Sequence, residues 1–455
     1  MVATETPRSV VKRLARGSGL SILIKIANAV LAYAMFLIIA RVSSGEDYGI
    51  FGVAFSIAVS VSLIAALGQP RAITRYWPQW TVQDQVVKAR ALLRISIILT
   101  TVGMGIAAVL FLAGGALNLI TAMPWSFGVA AGTAIFTMAF GWSEYASAAL
   151  RAQGHIVAAM APRDVAWRVL VCAIFGTAAL TGKAFSAETL ILTVGVTLLV
   201  VISPQMLVLW RTQRGARVKD LATEERKRVA RYCTIMWAAG AADLAKNYAG
   251  VVIVSGFFGA ETAGGYFASD RTANILSFLL LAVTLVAGPQ ISRYYHSGRK
   301  DLVQLVVGLS GMAAGLVACA GLIFFFLFGA KILSLFNPAY ASFLPALLAL
   351  CFGQLFAAAS GPVGVLLVMS GHERTILVLV VCVGVVSVTL QAIGGHYWGV
   401  LGVASAAAGG TIFLSVFSAV YAWRKLRIDS TGLSLVLKGI AKIPRLVARA
   451  LRSAN

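Results

Sequence analysis

Asp243 and Lys246 stand three residues apart in Trp237-Ala-Ala-Gly-Ala-Ala-Asp243-Leu-Ala-Lys246-Asn247-Tyr248-Ala-Gly250, inside an apolar run from Tyr232 to Phe258. That run is long enough to cross a bilayer. Helical spacing places Asn247 and Gly250 on the same face as the two charges. A charge at membrane depth costs at least about 2.5–3.5 kcal/mol even on lenient insertion scales. The face must therefore look into protein or a wet cavity. There a lysine can receive an anionic headgroup and a carboxylate can exchange a proton. The plainer reading is mutual neutralisation of the i,i+3 pair, which would only hold the helix in its bundle.

Five more residues join this set. Lys25, with Asn28 one turn on, forms a polar face in the first apolar run. Asp270 and Arg271 lie about a turn inside another, roughly 100° apart on a helix. One can then face a cavity while its neighbour caps an interface. Glu144, in Gly141-Trp142-Ser143-Glu144-Tyr145, is a carboxylate that can carry a coupling proton; its plainer reading is a pair with Arg151 or Arg168. Lys25, Asn28, Lys246, Asn247 and Arg271 are thus substrate-binding candidates, and Asp243, Glu144 and Asp270 coupling candidates.

What must position these residues is a bundle of membrane helices. Of 455 residues, 59% are apolar and 12% charged, about half the charged share of a soluble chain. Apolar runs of this length are helical spans rather than barrel strands. Twelve are expected, at 18–40, 50–68, 92–117, 125–150, 164–182, 188–210, 232–258, 265–287, 302–328, 341–369, 375–395 and 400–422. The net charge of +22 suggests nucleic acid until its placement is examined. The loops after even-numbered spans and both terminal segments hold nearly all the Lys and Arg. The opposite loops hold Arg41, Lys183 and Lys331. This asymmetry sets both termini in the cytoplasm and accounts for the charge without nucleic acid.

The chain divides into a cytoplasmic segment 1–17, a six-helix lobe 18–210, a solvated linker 211–231, a second six-helix lobe 232–422 and a tail 423–455. In the tail, Lys438, Lys442, Arg445, Arg449 and Arg452 oppose Val436, Ile440, Ile443, Val447 and Ala450. This is the pattern of a basic amphipathic helix on anionic lipid. The five cysteines show no metal or redox spacing and read as small core residues. No nucleotide-binding loop, metal cluster or catalytic constellation is present, so a transporter without cofactor or metal is expected, not an enzyme.

Landmarks repeat at offsets of about 213–219 residues. Glu46-Asp-Tyr-Gly49 answers Glu261-Thr-Ala-Gly264, and Gly68-Gln-Pro70 answers Gly288-Pro289-Gln. Gly154-His155 answers Gly371-His372, and Trp210-Arg211 answers Trp423-Arg424. Six helices per unit make the repeats parallel. The polar faces of spans 1 and 7 then occupy equivalent places and should look at each other, while Asp243 has no counterpart beside Lys25.

Arg16-Gly-Ser-Gly, Ala40-Arg41 at the end of the first span, and Gly45-Glu-Asp-Tyr-Gly49-Ile-Phe51 resemble the opening of polysaccharide-biosynthesis flippases. These are O-antigen and exopolysaccharide exporters of the multidrug/oligosaccharidyl-lipid/polysaccharide exporter superfamily. The resemblance implies two lobes around a central cavity, alternating access, and a polyprenyl-diphosphate-linked oligosaccharide as cargo. It also implies polysaccharide polymerase or export machinery as partners. The alternative within the superfamily is an ion-coupled multidrug or metabolite antiporter. A membrane scaffold without transport is the third reading, and it would require the buried charges to be mutually paired.

Overall fold

The computed structural model describes the backbone of residues 7–117 and 125–431. Side chains are described from residue 23 onward, except 279–283, 285, 286, 289 and 296. The expected tail helix lies outside the described residues. Within them every element is helical and no strand occurs: α1 (Pro7–Arg41), α2 (Gly45–Ala65), α3 (Gln69–Val82), α4 (Val86–Ala116), α5 (Phe127–Ala152), α6 (Ile156–Ala161), α7 (Trp167–Leu180), α8 (Ala187–Thr212), α9 (Thr223–Phe258), α10 (Ala260–Ala273), α11 (Ile275–His296), α12 (Lys300–Phe336), α13 (Leu344–Ala359), α14 (Val363–Met369) and α15 (Glu373–Leu426). The protein is an all-α polytopic membrane protein, and each of the twelve expected spans falls on helix. Among the described residues seven helices are long and apolar enough to cross a membrane. One of them, α15, comprises two helices that meet at a kink at Gly399, whose φ of 65° is not helical.

The chain forms two compact units, residues 1–267 with 335–337, and 268–334 with 338–455. The helix bearing Asp243 and Lys246 therefore groups with the first unit. At the heart of that unit is α5, rich in Gly, Ala, Ser and Thr and buried along most of its length. Small residues let helix backbones approach where lipid gives no hydrophobic drive for association. A Cβ on Gly132 would stand 2.5 Å from the Ile191 side chain, and one on Gly195 would stand 2.9 Å from the Phe136 nitrogen. Thus α5 and α8 pack nearly backbone to backbone. Phe36, Phe51, Phe55, Phe136 and Phe267 form an aromatic cluster beside them.

A helix that hydropathy hides is α3, the stretch otherwise read as a loop between spans 2 and 3. Gly68 caps it with a φ of 71°, and Pro70 sits in its first turn, where a missing N–H costs nothing. Gly68 also touches α9: a Cβ there would lie 2.6 Å from the Cys233 carbonyl oxygen. Trp237 donates Nε1–H to the Ile64 carbonyl at 2.8 Å, and the Arg75 guanidinium lies 4.6 Å from the Tyr232 ring centre. These contacts hold the first turns of α9 on the α2–α3 corner.

The 211–231 linker is not fully solvated, contrary to the sequence expectation. Ala216 and Leu221 are buried. Lys88 Nζ meets Glu225 Oε1 at 2.7 Å, and Arg94 donates to the Ala216 carbonyl. The linker is tied down because its few apolar residues find the end of α4.

In the second unit α11, α12, α14 and α15 pack around Ile291, Val303, Val307, Leu366 and Leu426. The tenth span breaks at Ser360-Gly361-Pro362, where Gly361 takes a φ of 66°. After α15 the chain folds back: Gln304 Nε2 donates to the Asp429 carbonyl at 2.7 Å, and the Asp429 N–H donates to Gln304 Oε1 at 2.6 Å.

Candidate functional site: a charged chain and the cavity beside it

Between α6 and α7 the helix widens into a five-residue π turn, Pro162–Ala166. Pro162 has no N–H to give the carbonyl four residues back. The Ala158 carbonyl instead accepts from Gln205 Nε2, which also lies 3.4 Å from the Ala159 carbonyl. Trp167, buried directly after the turn, donates Nε1–H to the Val194 carbonyl at 3.1 Å and fixes α7 on α8. Such π turns recur at functional sites because they re-aim side chains.

The side chains aimed here are Arg163 and Asp164. Asp164 Oδ2 lies 2.7 Å from Lys25 Nζ on α1. Arg163 Nε donates to Asp164 Oδ1 at 3.1 Å, and Arg163 Nη1 donates to Glu144 Oε1 on α5. A chain of alternating sign, Lys25–Asp164–Arg163–Glu144, thus joins α1, the π turn and α5. Arg168 adds a further cation, donating Nη1–H to the Asp164 carbonyl at 3.3 Å. Asp164 is only 3% exposed, a burial a carboxylate tolerates when its oxygens are paired, as here on two sides. Asn28, one turn beyond Lys25, is buried.

Lys25, expected as a cavity cation facing span 7, is instead neutralised by Asp164. Glu144 does not pair with Arg151 or Arg168; its partner is Arg163. Sequence reading missed the central pair, Arg163 and Asp164, because the fifth span was begun at residue 164. A proline followed by adjacent opposite charges at a span's mouth was the available signal.

On α9, Lys246 Nζ stands 3.6 Å from Asp243 Oδ1. The two are unlike in setting: Lys246 is 9% exposed and Asp243 50%. Lys246 therefore turns into packed protein while Asp243 turns to open space. Asn247, expected on the Lys246 face, is exposed, being about 100° further round the helix, whereas Gly250 is buried with Lys246.

Asp243 and Glu144 share a cavity. It encloses about 410 Å³ between α2, α3, α5 and α9, and its walls include Arg71, Thr74, Arg151, Met236 and Trp237. Two carboxylates and two guanidinium groups thus border one space of the size that small-molecule sites occupy.

In the second unit Arg271 Nη2 donates to Asp270 Oδ2 at 2.6 Å, and Asn274 Nδ2 donates to the same oxygen at 3.1 Å. Asp270 and Arg271 thus pair with each other beside the break between α10 and α11. Gln354 Nε2 then donates to Asn274 Oδ1 at 3.4 Å. Among the described residues no three His, Cys, Asp or Glu side chains stand where they could hold a metal ion.

No protein-family profile matches the sequence, and no curated protein matches it. Solved structures do match. A multidrug resistance MATE family transporter of the MOP superfamily, in its inward-facing conformation, aligns over 90% of this chain and 98% of its own at TM-score 0.70 and 14% identity. The outward-facing conformation of such a transporter aligns over 90% and 96% at TM-score 0.62 and 15% identity. A MOP superfamily transporter from Pyrococcus furiosus, described as having a binding pocket of reverse polarity, aligns over 91% and 95% at 0.62 and 14%. The fold is that of MOP superfamily transporters.

Proposed function

We propose that this chain is a secondary active exporter which carries an amphipathic organic substrate by alternating access, in exchange for a proton or another cation. The observation that carries this reading is the shared cavity: Glu144 and Asp243, on α5 and α9, border one space with Arg71 and Arg151. A proton taken up by Glu144 would loosen its pair with Arg163, and with it the charged chain that reaches α1. The fold shared with multidrug transporters supports the exchange reading. The basic loops support an inner-membrane orientation with both termini in the cytoplasm.

A second reading, flipping of a polyprenyl-diphosphate-linked oligosaccharide, is favoured by the excess of cations: Arg71 and Arg151 line the cavity and Arg168 sits on the Asp164 carbonyl, beyond the balanced chain. It is also favoured by the flippase-like opening, Arg16-Gly-Ser-Gly, Ala40-Arg41 and Gly45-Glu-Asp-Tyr-Gly49-Ile-Phe51. Diphosphate oxygens suit guanidinium donors.

Proteoliposomes separate the two. With an imposed proton gradient, movement of a cationic dye that stops when the gradient is collapsed supports exchange. Transfer of a fluorescent polyprenyl-diphosphate glycan between leaflets, without dye movement, supports the second reading. If neither moves, both readings fall.

A further inference from the structure

We infer that the first unit holds one anionic phospholipid, with an acyl chain in a groove between α4 and α9 and its headgroup at Arg226. The groove encloses about 480 Å³ and adjoins the charged cavity at Trp237, which lines both. Its walls are Leu92, Ile95 and Leu99 of α4 with Val229, Ala230 and Trp237 of α9. From Arg226 to Trp237 the groove follows α9 for roughly 16 Å at the helical rise. That is about half of the ~30 Å hydrocarbon core, the depth of one leaflet.

Three features select the occupant. First, Gln69, Cys233 and Thr234 in the wall are already paired, Thr234 Oγ1 donating to the Ala230 carbonyl at 3.1 Å. Ser96 Oγ donates to Gln69 Oε1 at 2.9 Å, and Gln69 Nε2 lies 3.6 Å from Cys233 Sγ. A ligand in need of hydrogen bonds would find few there, whereas an acyl chain needs none. Second, Arg226 lies at the groove's mouth, exposed, with one nitrogen 3.1 Å from Thr223 Oγ1. The neighbouring cations Lys88 and Arg94 are held by Glu225 and the Ala216 carbonyl. Third, the positive-inside pattern assigns this end to the cytoplasmic leaflet, whose anionic lipids complement Arg226. An open apolar slot at leaflet depth is filled by lipid rather than water. The lipid occupies the gap between α9 and α4, beside the buried Leu221. This site does not depend on which cargo the exporter carries.

The test uses the purified full chain with phosphatidylglycerol or phosphatidylcholine carrying a diazirine in the acyl chain. Peptide mass spectrometry then locates the adducts. Expected are adducts within 92–99 and 229–237, about fivefold more from phosphatidylglycerol at equal mole fraction, the preference one surface arginine confers. Arg226→Gln should bring that ratio to about one. Ala230→Trp, which fills the groove, should remove adducts there and leave those on the exposed face of α12. Equal labelling by both lipids in the unmodified chain would overturn the inference. So would groove adducts no denser than on α12, or stronger groove labelling by a photoreactive cationic dye. Native mass spectrometry of the unmodified chain from mixed micelles requires no variant. A retained phosphatidylglycerol supports the site, and its absence refutes it.

Discussion

Asp164, almost wholly buried, joins Lys25 of α1 at 2.7 Å and Arg163 of its own π turn at 3.1 Å. One carboxylate thereby ties the first span to the fifth, and through Arg163 to Glu144 of the fourth. Charges at this depth are tolerable because each has an opposite neighbour. The consequence is that any event which changes the charge of Glu144 is felt at α1.

Removing the shared carboxylate leaves two cations without it. Asp164→Asn should destabilise the protein by about 3–5 kcal/mol, the cost of breaking a buried pair from one side. Lys25→Gln added to it should recover part of that loss, since the uncompensated charge goes as well. Thermal unfolding of the purified variants in one detergent measures both. Strictly additive effects would show that the two side chains are not coupled.

If Glu144 carries the coupling proton, Glu144→Gln should flatten the pH dependence of transport while the protein still inserts and accumulates. Asp243→Asn, at the other wall of the same cavity, should lower the rate without abolishing that dependence. Transport in vesicles clamped at a series of pH values distinguishes them. An unchanged profile for Glu144→Gln removes it as coupler.

Much of this arrangement was readable in the residues. Apolar run length located every span, because bilayer thickness imposes it. Gly361-Pro362 marked the broken tenth span, because proline denies the helix a donor. Asp243 and Lys246 were recognisable as a pair from their spacing alone. What could not be read was partner choice across helices. Lys25 has Asn28 beside it in sequence but Asp164 beside it in space, 139 residues away. Nor could the burial of α5 be read. Its modest hydropathy comes from small residues that serve packing, and composition does not say what they pack against. The amphipathic α3 was hidden for a similar reason: it is too short and too polar to register as a span.

Outside the membrane, Lys88 and Glu225 tether the linker end to α4 at 2.7 Å. The hydrogen bond from Lys88 holds the Glu225 carboxyl below its ordinary value of 4.5. A depressed carboxylate stabilises the folded state above its unfolded pKa, and that contribution is lost as pH falls through the lower folded value. The tether should therefore persist at neutral pH and loosen only in acid below that ordinary value. A spin label on Lys219→Cys should gain mobility over this acid range. In the Glu225→Gln background the label should be mobile to the same degree at every pH.

The π turn rests on an exchange of donors that can be tested directly. Pro162 offers no N–H to the Ala158 carbonyl, and Gln205 of α8 supplies one. Gln205→Leu should therefore leave the Ala158 carbonyl, and the buried Ala159 carbonyl beside it, without this donor and cost about 1–3 kcal/mol. Pro162→Ala in that background restores a backbone N–H within reach of Ala158 and should recover most of the loss. The recovered protein, however, favours a regular α turn, which rotates Arg163 and Asp164 away from Glu144 and Lys25. Stability and transport should then part company, with the double variant folding well and transporting poorly. Thermal unfolding and vesicle transport measured on the same preparations decide this. A double variant that transports at the unmodified rate would show that the widened turn is not what aims the charged chain.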